Sequence, residues 1–154
     1  MSARAVKYWF EDFPVGMVVE IPGPTLTAES IVEFAGRYDP QPFHTDEAAG
    51  RASVFGGLIA SGWQTVSLAM RMICDAYLLE VASLGSPGVN EVRWLKPVRP
   101  GDTLRLRMSV LEAKPSASKP DRGTVLHRWE VFNHKDETVM TMEGYGMFRR
   151  RRAA

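Results

Sequence analysis

The amino-acid sequence predicts an α+β protein in which one antiparallel sheet packs against one long, buried helix. Two observations carry this prediction. From Val89 onward, four strand-like segments follow one another with no helical segment between them, and such strands form antiparallel sheets. Before them, the segment from Gly62 to Leu79 is apolar on nearly every helical face, which is typical of a buried central helix. The 154 residues contain no internal repeat and no linker, so a single domain, 1–154, is expected.

The N-terminal part predicts a strand and then a helix. Met17 to Ile21 is β-rich and is closed by Pro22 to Pro24. Thr27 is a suitable helix N-cap. Apolar residues then recur at helical spacing at Ile31, Phe34, Ala35 and Tyr38. The helix is expected to end near Tyr38, because Pro40 disfavours helical geometry at Asp39.

The segment 39–44 is predicted to be a rigid loop, since two prolines in four residues fix much of its backbone. A short polar turn or helix follows as far as Gly50, and Gly56 and Gly57 make a second break.

The C-terminal part predicts four strands joined by turns. Between Leu104 and Val110 apolar residues alternate with polar ones, which indicates a half-buried strand. The segment from Lys114 to Gly123 is expected to be a polar loop. The other strands are expected at Val89–Leu95, Thr124–Phe132 and Thr138–Phe148, with a hairpin turn at 133–136.

Composition limits the possible partners and compartments. The formal net charge is +1, from 19 basic and 18 acidic side chains, which gives no reason to expect nucleic acid as a partner. The run from Arg149 to Arg152 is expected to be a frayed tail. The lone Cys74 permits no intrachain disulfide and fits a reducing, cytoplasmic compartment. No signal-peptide pattern and no membrane-spanning stretch are recognised, so no membrane partner is expected.

Asp39 and His44 form the candidate catalytic pair. A carboxylate and an imidazole held together can share acid and base work near neutral pH, and burial could shift the aspartate pKa toward that range. The structural alternative is that Asp39 caps a turn and His44 is a packed loop residue.

The start of the long helix is a candidate oxyanion site. The first N–H groups of a helix have no partner within it, and Gly62 would allow close approach of a ligand to the backbone. The alternative is an ordinary helix start that uses Ser61 as its N-cap.

Other sequence features favour structural roles. The three histidines and one cysteine show no metal-ligand spacing, and no phosphate-binding loop or serine-nucleophile elbow occurs. Arg71 and Asp75, four residues apart on the long helix, are expected to pair with each other or with a partner chain. Trp63, Trp94 and Trp129 are expected to be core or interface anchors.

Three segments resemble the MaoC-like, R-specific enoyl-CoA hydratases. The segment 39–46, Asp-Pro-Gln-Pro-Phe-His-Thr-Asp, is similar to their Asp-x-Asn-Pro-x-His signature, with Gln41 in place of asparagine. The segment 56–62 resembles the approach to their long helix, with Ser61 where many members carry histidine. The segment 94–104 resembles their late strand and turn. The likeness covers about 10–148.

The resemblance implies a hot-dog fold, in which a sheet wraps around a long central helix. It implies Asp39 and His44 as catalytic residues, Gly62 as the oxyanion-binding residue, and Gln41 and Ser61 beside the substrate. The implied reaction is hydration of a 2-enoyl-CoA to a 3-hydroxyacyl-CoA, or its reverse.

The implied reaction needs no metal or redox cofactor and has coenzyme A as part of the substrate. A homodimer or higher homo-oligomer is expected, because the long helix carries more apolar residues than one small sheet can cover and a single sheet leaves its edge open, and the resemblance points the same way. The alternatives are a hot-dog acyl-CoA thioesterase and a non-catalytic homologue that binds acyl thioesters.

Overall fold

The structure is a computed structural model that describes residues 4–152. Four α-helices, of which the last is the longest, lie between the first and second strands, and the C-terminal half is almost entirely β. The strands are β1 (Val18–Thr25), β2 (Val89–Trp94), β3 (Thr103–Pro115), β4 (Arg122–Phe132) and β5 (Thr138–Arg149). The helices are α1 (Ala28–Tyr38), α2 (Pro42–Thr45), α3 (Glu47–Ala52) and α4 (Gly62–Ala76).

The five strands form one sheet in the order β1-β3-β4-β5-β2, and all four pairings are antiparallel. In the middle of the sheet Met108 lies opposite Trp129, and Trp129 lies opposite Met142. Because side chains alternate between the two faces of a strand, these residues share one face. That face is buried, together with Leu104, Leu106, Val110, Val125 and Val131. The α+β prediction is therefore confirmed.

Helix α4 packs on this buried face through Ala69, Met72 and Ile73, which join the same apolar core as the strands. A long helix wrapped by an antiparallel sheet is the hot-dog arrangement. Burying one large apolar side chain contributes about 1.5–3 kcal/mol. The helix–sheet contact is therefore a major source of stability.

The prediction for the long helix was wrong in its length, and the burial of the helix is incomplete, as its excess of apolar residues over what one sheet can cover predicts. The α-helix ends at Ala76, and a separate 3-10 turn follows at Leu78–Glu80. Trp63 and Met70 on α4 are 56% and 39% exposed. One sheet covers only one side of a helix, so the apolar residues on the other side remain uncovered in the single chain.

Strand boundaries also differ from prediction. Strand β1 does not stop before Pro22 but continues through the Pro22–Pro24 segment to Thr25, with a register shift on the way. Proline is tolerated there because β1 is an edge strand. Strands β3 and β4 extend into the predicted polar loop, which shortens to 116–121.

The C-terminal arginines are anchored, contrary to the predicted frayed tail. Arg150 and Arg151 pair with Glu11 and Asp12 of the N-terminal segment, at 3.2 and 2.8 Å. The Arg151 guanidinium also lies 5.0 Å from the centre of the Trp9 ring. The segments around residues 11–12 and 150–151 are thus held together by charge on the surface.

Helix α1 and its connection to α4 position the loop that carries the candidate pair. Thr27 caps α1 by accepting a hydrogen bond from the Ser30 N–H, as predicted. The Gln64 side chain of α4 donates to the Ser30 carbonyl at 3.1 Å. The first turn of α4 is therefore fixed against the start of α1. None of the helices described within residues 4–152 is long and apolar enough to cross a membrane.

Candidate active site

Asp39 lies at the C-terminal end of α1, where the helix stops. Its N–H still donates to the Ala35 carbonyl at 2.9 Å, but its own backbone is extended, with φ −154°. Pro40 explains this conformation, because a residue before proline avoids helical geometry. Asp39 therefore lies just beyond the last helical residue of α1, and 18% of its side chain is exposed.

His44 lies on α2, a single helical turn that begins at Pro42. The segment 39–44 was predicted to be a rigid loop, whereas its last three residues belong to this helical turn. The Nδ1 atom of His44 is 2.7 Å from the Ile59 carbonyl oxygen. A carbonyl can only accept a hydrogen bond, so Nδ1 carries a proton. Nε2 is then the nitrogen that can gain or lose a proton toward the cavity.

Asp39 and His44 meet in the folded chain. The Asp39 Oδ2 atom is 3.3 Å from His44 Nε2. Ser61 Oγ donates to the same Oδ2 at 2.7 Å, and Gln41 Nε2 donates to Oδ1 at 2.7 Å. Both carboxylate oxygens are thus engaged, and Gln41 and Ser61 have a defined contact with the candidate base.

These contacts decide the charge of Asp39. Burial by itself raises the Asp39 pKa, but the hydrogen bonds from Ser61 and Gln41 and the charge of His44 outweigh it, so the pKa is lowered from 3.8. The expectation that burial would shift this pKa toward neutrality was therefore wrong. Asp39 is a carboxylate at neutral pH, and in the resting site it can accept a proton but not donate one.

Gly62 opens helix α4 next to this pair. Ser61 is the N-cap, since its Oγ accepts from the Trp63 N–H at 3.3 Å while donating to Asp39. Within residues 4–152, no protein group accepts a hydrogen bond from the Gly62 N–H. A Cβ at position 62 would come within 2.4 Å of the Trp94 indole. Glycine is therefore required by the close approach of Trp94.

The pair and the helix start share one cavity of about 460 Å³. Its wall also includes residues to which the sequence gave no role in the site: Phe43, Phe55, Thr65, Trp94, Lys96, Pro97 and Val98. Phe43 packs edge-on to His44 at 4.6 Å between ring centres. Trp94 and Trp63 are in edge contact at 5.2 Å and are about half exposed, whereas Trp129 is buried. Trp63 and Trp94 are far from Asp39 in sequence, so their place in the wall of the same cavity could not be predicted from local spacing.

The remaining sequence predictions concern groups outside this cavity. Arg71 and Asp75 pair on the surface of α4 at 2.7 Å, as predicted. In the described range 4–152, no three His, Cys, Asp or Glu side chains are arranged to hold a metal ion. His127 is buried in the sheet, and His134 lies in the turn after β4, 3.4 Å from Asp102.

Known proteins share this sequence pattern and this fold. The profile of the family described as "MaoC like domain" matches residues 12–129. The structure of a MaoC-like dehydratase from Rhodospirillum rubrum is 36% identical, with a TM-score of 0.85 over 96% of this chain and 100% of that one. The structure of a monoamine oxidase regulatory protein from an Archaeoglobus species is 29% identical, with a TM-score of 0.86 over 99% of this chain and 100% of that one.

A curated relative carries an enzymatic name. The 3-hydroxyacyl-thioester dehydratase Z of Mycobacterium tuberculosis is 30% identical over 109 residues, which are 70% of this chain and 72% of that protein. The family profile covers most of the chain, including all the candidate site residues. The chain therefore belongs to the MaoC-like domain family.

Proposed function

We propose that this protein hydrates 2-enoyl thioesters to 3-hydroxyacyl thioesters, or catalyses the reverse dehydration. The observation that carries the proposal is the contact of the Asp39 carboxylate with His44 Nε2 at 3.3 Å, in one cavity with the Gly62 N–H. The carboxylate supplies a base, the imidazole supplies a proton carrier, and the helix start supplies a donor for a developing oxyanion.

The reaction needs all three groups. The thioester carbonyl accepts a hydrogen bond from the Gly62 N–H, which stabilises the enolate that forms. Asp39 takes a proton from water as the hydroxyl adds to C3, and protonated His44 delivers a proton from Nε2 to C2. The proton on Asp39 then passes to His44 across the 3.3 Å contact, so the site returns to its starting state with one water added.

The substrate supplies the reactivity in this scheme. The conjugated thioester is already an electrophile at C3, so we propose that no metal or redox cofactor is required. Coenzyme A then enters only as part of the substrate. The relatives named as dehydratases support this choice of reaction. The ionised Asp39 carboxylate and the free His44 Nε2 beside it support the roles given to these two residues.

The direct test is incubation with a series of 2-enoyl-CoA thioesters from crotonyl-CoA to 2-decenoyl-CoA. Loss of the conjugated-thioester absorbance and formation of (R)-3-hydroxyacyl-CoA are expected. Free thiol is measured in parallel with saturated acyl-CoA. Thiol release at a rate equal to or above hydration would favour a thioesterase. Binding of acyl-CoA without either reaction would favour a non-catalytic homologue.

We also propose that the protein forms a homodimer through β2 and the exposed side of α4. Strand β2 is a sheet edge, and such an edge exposes unpaired backbone groups. Beside it lie exposed apolar side chains, with Val89 53%, Leu95 52% and Trp63 56% accessible. Two-fold pairing of this surface would cover both the open edge of β2 and the exposed apolar side chains. Light scattering at micromolar concentration should give twice the chain mass; a monomer with full hydratase activity would contradict this interface.

A further inference from the structure

The start of α4 offers one free backbone donor to the catalytic cavity. The Trp63 N–H is taken by Ser61 Oγ at 3.3 Å, and the N–H groups of Gln64 and Thr65 both donate to the Ser61 carbonyl, at 2.9 and 3.3 Å. The Gly62 N–H is left. A developing oxyanion is commonly stabilised by more than one aligned donor. A second donor for the thioester oxygen would therefore have to come from a side chain in the cavity wall.

Trp94 brings such a donor directly to Gly62. A Cβ at position 62 would lie 2.4 Å from Nε1 of the Trp94 indole and equally close to Cε2. The Gly62 nitrogen is two covalent bonds away from that Cβ, so Trp94 Nε1 lies within roughly 5 Å of the nitrogen. Two nitrogens that each lie about 2.9 Å from one oxygen can be up to about 6 Å apart. The two N–H groups are therefore close enough to bind the same oxygen.

The direction of the helix also favours a shared oxygen. At the start of an α-helix the free N–H groups and the Cα–Cβ bonds both point toward the N-terminal end. The Trp94 indole lies where Gly62 lacks a Cβ, so it is on the same side of this residue as the N–H. Both residues line the cavity that contains Asp39 and His44. An oxygen bound between the two donors would lie beside the candidate acid–base pair.

The indole N–H of Trp94 is available to a ligand. Trp94 is 46% exposed, and among the residues that the structure describes, 4–152, none accepts a hydrogen bond from its Nε1. An indole N–H can only donate, which suits it to an oxyanion. Two other donors in the cavity wall are engaged, because the Gln41 amide binds Asp39 and the Lys96 ammonium pairs with Glu137.

Packing on two sides fixes the position of Trp94. It is the last residue of β2 and lies opposite Met140 of β5. Met140 belongs to the core that α4 covers, and residues opposite each other share one face of the sheet, so the Trp94 side chain is on the α4 side. Its ring also meets the Trp63 ring edge-on. The donor is thus held in place before any substrate binds, as electrostatic stabilisation of a transition state requires.

We propose that Trp94 Nε1 is the second donor of the oxyanion site, so that the thioester oxygen is bound between the Gly62 N–H and the indole N–H. This inference rests on the proposed hydration of acyl thioesters and adds a catalytic residue to it. Glycine at position 62 then serves both donors, because it allows the indole to approach its own N–H. Trp94 takes no part in the proton transfers of Asp39 and His44.

The carbonyl stretch of a bound thioester tests the inference without any reaction. Butyryl-CoA labelled with heavy carbon at the thioester carbonyl is saturated and cannot be hydrated. Each hydrogen bond to the carbonyl oxygen weakens the C=O bond, so the infrared band should fall in frequency when the wild-type protein binds the ligand. Trp94→Phe keeps an aromatic ring but has no N–H, and the band should return part of the way to its free position. Trp9→Phe, beside a separate surface cleft, is the matched control and should give the wild-type band.

Kinetics then test whether the donor acts in the transition state. Trp94→Phe should lower kcat and kcat/KM for crotonyl-CoA hydration by a similar factor of about 10², with KM little changed. A thermal melt confirms folding.

Three outcomes separate the inference from its rivals. A wild-type band and wild-type kcat in folded Trp94→Phe would overturn it. A band that moves in Thr65→Val and not in Trp94→Phe would also overturn it, because the Thr65 hydroxyl, in the same cavity wall, would then be the second donor. A band that depends on Trp94 in a protein without hydration activity would support the donor and count against the proposed reaction.

Discussion

His44 and His127 are both buried histidines, yet their surroundings give them different chemistry. His44 has a partner on each nitrogen, the Ile59 carbonyl at 2.7 Å and the Asp39 carboxylate at 3.3 Å. His127 lies among the rings of Phe13 and Phe148, and its burial lowers its pKa to about 4. Burial alone therefore makes a histidine neutral and inert to proton transfer near pH 7. His44 instead has a neighbouring carboxylate, with which it exchanges a proton in the proposed reaction.

The largest effect is expected when the carboxylate beside His44 is removed. Asp39→Asn should lower the hydration rate by about 10²–10⁴-fold, because the amide cannot accept the proton from water. The rate is measured by enoyl-thioester absorbance, with a thermal melt to confirm folding. Asp75→Asn makes the same chemical change in an exposed ion pair and should leave the rate unchanged. A folded Asp39→Asn protein with wild-type turnover would make Asp39 structural.

Replacing each histidine in turn sharpens the comparison. His44→Ala should also lose about 10²–10⁴-fold in hydration, since Nε2 is the proton carrier. His127→Ala and His134→Ala should retain turnover on 2-octenoyl-CoA, because neither lies in the catalytic cavity. Equal losses in all three variants would point to general destabilisation, and the comparison between His44 and His127 would fail.

The sequence predicted this contrast only in part. Asp39 and His44 are five residues apart with prolines between them, so their proximity was readable from local spacing. The position of His127 on a strand could be predicted, but its burial between Phe13 and Phe148 depends on contacts that local spacing does not show. The prediction for the Asp39 pKa failed for a similar reason. Two hydrogen-bond donors lower this pKa: Gln41 is close in sequence, but Ser61 is 22 residues away and meets Asp39 only in the folded chain.

Fold predictions succeeded where a pattern was local and long. Alternation identified strand β3, and the apolar run identified α4. That part of α4 stays uncovered could be predicted, but which side stays exposed could not, because the periodicity of a nearly all-apolar helix does not show which side the sheet covers. The anchored C-terminus was missed because Glu11 and Asp12, which hold it, lie at the other end of the chain.

A smaller effect concerns the stability contributed by the neutral His127. Its pKa is lowered from 6.5 to about 4 in the folded protein, so the unfolded chain binds the extra proton between these values. The stability is present above pH 6.5 and is lost as the pH falls toward 4, by about 3 kcal/mol. Urea unfolding of the wild type and of His127→Phe across this range measures it. An equal slope in both proteins would show that other groups cause the dependence.

The smallest expected effect is on the pH profile of the site. Ser61→Ala removes one of the two hydrogen bonds that hold the Asp39 pKa low. The Asp39 pKa should rise, and because activity needs the carboxylate, the acid limb of the hydration profile should move to higher pH. Ser116→Ala, remote from the cavity, serves as control. An acid limb that stays in place would mean that Ser61 does not tune Asp39.

Hydration in water enriched in heavy oxygen tests the central claim most directly. Crotonyl-CoA is incubated with the protein, and the products are separated and analysed by mass spectrometry. Addition of water by Asp39 and His44 predicts the label in the C3 hydroxyl of an intact 3-hydroxybutyryl-CoA, and the label should be nearly absent with Asp39→Asn. Label in a free carboxylate, accompanied by released coenzyme A thiol, would contradict hydration and identify a thioesterase.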